Sequence, residues 1–132
     1  MSHARLRLVI LAVDDVARAV AFYRAAFDWE VTVEVPVYVE FALTPDSGVG
    51  IYHREAYAIN TVIPPERCPD SAITATELYL HVDDLDAAIE RLRAAGAREL
   101  APAAPRMWGD TAAYFADPDG NVIAVAVHTQ DA

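Results

Sequence analysis

At 132 residues, 55% of them apolar, the chain is long enough to bury the core of one domain and too apolar to be disordered throughout. Twenty acidic residues against ten basic ones give a formal net charge of −10, which disfavours nucleic acid and anionic membranes as partners and favours neutral or cationic ones. The single cysteine, Cys68, excludes an intrachain disulfide and a cysteine-built zinc site, and a reducing cytoplasm is the expected compartment.

The first apolar run, residues 5–13, is rich in Val, Ile and Leu and reads as a strand. It is too short for a signal peptide, lacks a small-residue cleavage site and ends at Asp14-Asp15. One of those aspartates is expected to cap a helix whose apolar stripe is Val16, Val20, Tyr23 and Phe27. Three strands follow, at Glu30–Val35, 37–43 and 49–54, the first with clear period-two alternation. Residues 56–75, with Pro64, Pro65 and Pro69, read as a linker. Beyond it come a strand ending at Val82, an Asp83-Asp84 cap, and a helix with the stripe Leu85, Ile89 and Leu92 that stops at Gly96. A weak strand at 98–100 and stronger ones at 111–116 and 121–128 complete the chain, the last two joined by the turn sequence DPDG.

The chain repeats itself. VDDVARAVAFYRAA from Val13 matches VDDLDAAIERLRAA from Val82 at an offset of 69 residues. TPDSGVGI from Thr44 matches DPDGNVIA from Asp117 at an offset of 73. Two ordered matches at nearly equal offsets divide the chain into module 1 (about 4–55), a linker and module 2 (about 76–129).

Two βαβββ modules in tandem, the VDDV-x-AVAFY helix entry and the YFADPDGN turn together resemble the vicinal-oxygen-chelate superfamily of glyoxalases, bleomycin-resistance proteins and extradiol dioxygenases. With its short length and the WGD at Trp108 to Asp110, the chain is most similar to the antibiotic-resistance-like branch. The resemblance implies an α+β fold: a curved mixed sheet of two half-barrels around a cup, helices on the convex side, and assembly as a homodimer. It further implies four metal-ligand positions, one on the first and one on the last strand of each module. Counted from the helix-capping aspartates and the DPDG turn, these fall on Leu8, Ile51, Glu77 and Ala124. Only Glu77 carries a donor atom, whereas a protein-held divalent ion needs about three. His81 stands four residues beyond Glu77, roughly 13 Å along a strand, too far to share an ion with it. No metal and no other cofactor is therefore expected.

Glu77 is the candidate to recognise a ligand amine or to act as acid or base, set in apolar company unless it pairs with an arginine such as Arg54 or Arg106. Strand alternation sends Tyr79 and His81 to the same face as Glu77, His53 to that of Ile51, and His128 to that of Ala124. Tyr38 and Glu40 are expected to face away from the helix, and Trp108 to form a wall or lid. These residues suit a small molecule, partly aromatic and cationic. Two functions follow: a metal-free protein that binds and sequesters such a molecule, or a glyoxalase-like lyase or isomerase that uses a metal or Glu77.

Overall fold

In this computed structural model, which describes residues 3–132, the chain divides into two compact units, the first running to Arg67 and the second from Cys68, with Ala25–Phe27 at the end of the first helix grouped with the second. Each is a βαβββ module, so the α+β class and the tandem repeat both hold.

The first unit comprises β1 (Leu8–Val13), α1 (Val16–Phe27), β2 (Glu30–Val35), β3 (Tyr38–Thr44), β4 (Ser47–His53) and α2 (Arg54–Thr61). Its mixed sheet has the order β1-β4-β3-β2, with β1 parallel to β4 and the other pairs antiparallel. Leu11, Val13, Val39, Phe41, Val49 and Ile51 are buried on one face. The Tyr23 ring of α1 lies 6.5 Å from Phe41 and stacks on Trp29, which identifies that face as the one under the helix. The buried stripe of α1 includes Ala19, Phe22 and Tyr23; Val16, Val20 and Phe27 flank it half-buried, one step round from the expected stripe.

The second unit comprises β5 (Glu77–His81), α3 (Leu85–Ala94), β6 (Arg98–Pro105), β7 (Asp110–Ala116) and β8 (Val122–His128), closed by a 3-10 turn at Thr129–Asp131. Its order, β5-β8-β7-β6, repeats that of the first, again with one parallel pair. Ala88, Ile89 and Leu92 of α3 are buried, as are Leu78, Ala113, Phe115, Ile123 and Val125 of the sheet.

Local chemistry explains the boundaries. Asp15 and Asp84 cap their helices, accepting from the Arg18 and Ala87 amides at 2.9 and 3.0 Å. In the DPDG turn the Asp117 carboxylate accepts from the amides of Asp119 and Asn121, while Gly120 takes φ +86°.

Two elements differ from expectation. Residues 54–61 form α2 where the last residue of a strand and the start of a linker were expected; no residue of it is buried, so no apolar stripe marks it in the sequence. β6 runs through Pro102 to Pro105 instead of ending at residue 100. It pairs with β7 alone, and an edge strand with irregular register tolerates proline's missing donor. Among the described residues, no helix is long and apolar enough to cross a membrane.

Candidate functional site

Strand pairing settles which side chains share a face. In the first unit β1, β4 and β3 align Ile10 with Gly50 and Glu40, and Ala12 with Tyr52 and Tyr38. Ile51 aligns instead with Leu11 and Val39, is fully buried, and lies on the face under α1. His53 aligns with Val13 on that same face and occupies the cap position of α2. Both placements correct the sequence expectation. In the second unit Tyr79 aligns with Ala124 as Ile10 does with Gly50, so the closing strands correspond at an offset of 74, not 73. A one-residue slip moves every side chain of a strand to the other face.

Gly50, not Ile51, is thus the counterpart of Ala124. A Cβ on Gly50 would stand 2.6 Å from the Tyr38 hydroxyl, so the Tyr38 ring occupies the space that a ligating side chain would need. Leu8, Gly50 and Ala124 carry no donor atom, and Glu77 at the start of β5 is exposed. The residues do not fit a metal at the family positions.

Tyr38 and Glu40 face away from α1, as expected. Glu40 is buried, and accepts from the Tyr38 hydroxyl at 2.7 Å and from Arg7 at 2.9 Å. The Tyr38 bond, and then Arg7, hold the Glu40 carboxyl below the ordinary range, whereas burial and the carboxylate push the Tyr38 phenol up. Glu40 is consequently satisfied within the chain. Neither arginine offered as a partner for Glu77 meets it: Arg54 bonds Asp14 and the carbonyls of Pro65 and Glu66, and Arg106 bonds the carbonyls of Pro102 and Ala112.

The polar centre of the second unit is Asp110, a residue the sequence reading did not select. Its expected strand began at residue 111, one position late, although the DPDG hairpin register alone places Asp110 opposite His128. Asp110 is 6% exposed and opens β7; His81 ends β5 and His128 ends β8. These are three neighbouring strands, and the three side chains converge. One carboxylate oxygen accepts from the Tyr79 hydroxyl and lies 2.9 Å from His81 Nε2; the other lies 3.2 Å from His128 Nδ1. The imidazole rings are 4.8 Å apart, edge to face. Trp108 donates its indole N–H to the Tyr79 oxygen at 2.8 Å, with the two rings packed edge to face. Tyr79, His81 and Trp108, all selected from the sequence, therefore meet in one cluster that excludes Glu77.

The electrostatics follow from these contacts. The Tyr79 hydrogen bond first, and then that of His81, hold the Asp110 carboxyl below its ordinary range against the opposing effect of burial. The Tyr79 phenol is pushed up by burial and by its bond to the carboxylate. A carboxylate fixed at strand ends beneath a half-exposed phenol and an exposed indole can attract a cation, order a hydrogen-bond donor or contribute to a metal shell.

Comparison with known proteins agrees with this architecture. The family model described as Glyoxalase/Bleomycin resistance protein/Dioxygenase superfamily matches residues 5–125. An uncharacterized protein of Mycobacterium bovis is 33% identical over 124 residues, covering 84% of this chain and 75% of its own length. Among solved structures, a glyoxalase/bleomycin resistance protein/dioxygenase from Nocardioides superposes with a TM-score of 0.79 at 21% identity, covering all of this chain and 88% of that one. A lactoylglutathione lyase from Agrobacterium tumefaciens gives a TM-score of 0.70 at 22% identity, covering 96% and 94%. The repeated βαβββ units, the DPDG-closed hairpin and the match along nearly the whole chain make this protein a member of the glyoxalase/bleomycin resistance protein/dioxygenase superfamily.

Proposed function

We propose that the chain binds and sequesters a small aromatic cation in the cytoplasm, on the face of the second unit that carries Asp110. The observation behind this reading is one buried carboxylate beneath an exposed aromatic pair. Asp110 supplies the charge, and Tyr79 and Trp108, 37% and 56% exposed, supply flat surfaces for stacking and cation–π contact. The acidic excess of the chain favours such a ligand over an anionic one. The donor-free positions at Leu8, Gly50 and Ala124 weigh against the metal chemistry implied by the family resemblance.

A thermal-shift screen of aromatic ammonium and amidinium compounds, run with a chelator present, tests this. A ligand at 100 times its Kd adds about 2.7 kcal/mol of stability, a Tm rise on the order of 10 °C for a domain of this size. Trp108→Ala should reduce the rise. No shift from any aromatic cation, or an unchanged shift in Trp108→Ala, overturns the reading. The lyase alternative has the His81–Asp110 contact on its side, since a carboxylate-bound imidazole can carry a proton. Incubation with glutathione and an α-ketoaldehyde, followed by thioester absorbance, separates the two: sequestration predicts no thioester formed.

A further inference from the structure

We propose that His81, Asp110 and His128 form a binding site for a divalent transition-metal ion, away from the positions implied by the family resemblance. Each side chain offers one ligand atom, and these atoms lie within 4.8 Å of one another. The expectation that no histidine could complete a metal site considered His81 only with Glu77. The strand register gives His81 two other partners, on β7 and β8.

A four-coordinate ion with bonds of about 2.0–2.2 Å to nitrogen and oxygen places its ligand atoms roughly 3.4 Å apart. The widest present spacing therefore closes by on the order of 1 Å, while the 2.9 Å contact between His81 and Asp110 opens by a few tenths, adjustments within the reach of χ rotation. The side chains that must turn are the mobile ones: those of His81 and His128 are 48% and 60% exposed, whereas that of Asp110 is 8% exposed. Asp110 is the fixed point of the sphere, held by Tyr79, which is held in turn by Trp108. Such an outer layer orients a ligating carboxylate and keeps it ionised.

The repeat shows that the fold does not require these residue types. The corresponding positions of the first unit, by the offsets of 69 and 74, are Ala12, Pro36 and Arg54. Two imidazoles and one carboxylate suit zinc, nickel or cobalt, and not calcium or magnesium, which prefer all-oxygen shells. Three protein ligands leave a fourth position for water or a ligand atom. An ionised Asp110 can only accept, so a ring nitrogen that bonds it without metal does so as N–H. On binding, those protons leave or pass to the other nitrogen of each ring, and the metal takes the freed lone pairs.

The two readings share Asp110, but the test is independent of the proposed organic ligand, because the ion alone is the probe. Untagged full-length protein is titrated with Co(II) and followed by visible absorption, with Zn(II) competition to set the affinity. One Co(II) per chain is expected, with the bands of a low-coordinate site. His81→Ala with His128→Ala should weaken binding by more than about 100-fold, Tyr79→Phe by about 10–100-fold, and Glu77→Gln should leave it unchanged. Circular dichroism checks that each variant folds. A second measurement needs no variant: Ni(II) should broaden the NMR signals of His81 and His128 and spare that of His53. Absence of stoichiometric uptake, undiminished uptake by the double variant, loss of uptake in Glu77→Gln, or broadening of His53 alone would overturn the proposal. Thermal shifts by aromatic cations in chelator test the preceding reading separately.

Discussion

Asp110 receives one phenol and two imidazoles, so its protonation is linked to folding. Its folded pKa lies below the unfolded value of about 3.9, and the carboxylate therefore contributes stability above that pH. The contribution fades as pH falls through the lower, folded value. Asp110→Asn should flatten the acid limb of the stability curve below about pH 4, measured by urea unfolding at a series of pH values. An unchanged acid limb would show that the carboxylate gains nothing from its partners. Gly50 makes a steric prediction. Gly50→Ala sets a methyl group 2.6 Å from the Tyr38 hydroxyl and 2.7 Å from the end of the Ile10 side chain. The Tyr38 hydroxyl cannot retreat without weakening its bond to Glu40. A loss of about 1–3 kcal/mol in denaturant unfolding is expected, the usual range for overpacking.

Among the elements, the two long helices begin the same way. Each starts at the second aspartate of a DD pair, whose side chain accepts from the amide three residues on. Asp15→Ala and Asp84→Ala should each cost about 0.5–2 kcal/mol, read as a lowered denaturation midpoint at constant m-value. Asp14, by contrast, bonds Arg54 and Arg67, and these hold its carboxyl below the ordinary range. The adjacent aspartates thus do separate jobs. DD followed by an apolar stripe announced both helices. Nothing local announced α2, because a helix with no buried face leaves no apolar period to read. β6 was under-read for a related reason: its prolines argue against a strand, and only its place at the sheet edge makes them acceptable.

At the scale of the whole molecule, β1 and β2 lie at the edges of one four-stranded sheet, and β5 and β6 at those of the other. Strand edges are usually paired or covered. We expect a homodimer, with sedimentation at micromolar concentration giving twice the 14.4 kDa of the chain; a species at 14.4 kDa would contradict it. The sequence by itself determined the class and tandem architecture of this protein, because capping, period-two and period-3.6 patterns and the internal repeat are local signals. It also showed that Leu8 and Ala124 carry no ligating atoms, since that depends on residue type alone. Only the tertiary structure decided what those signals could not. A single-residue difference in offset put Gly50 in place of Ile51 and turned His53 to the helix side, because side chains alternate along a strand. Likewise Asp110 joined His81 and His128 through pairing among β5, β8 and β7. Residues 29 and 18 positions away became neighbours through hydrogen-bond register, a property of strand pairs that no single stretch of chain contains.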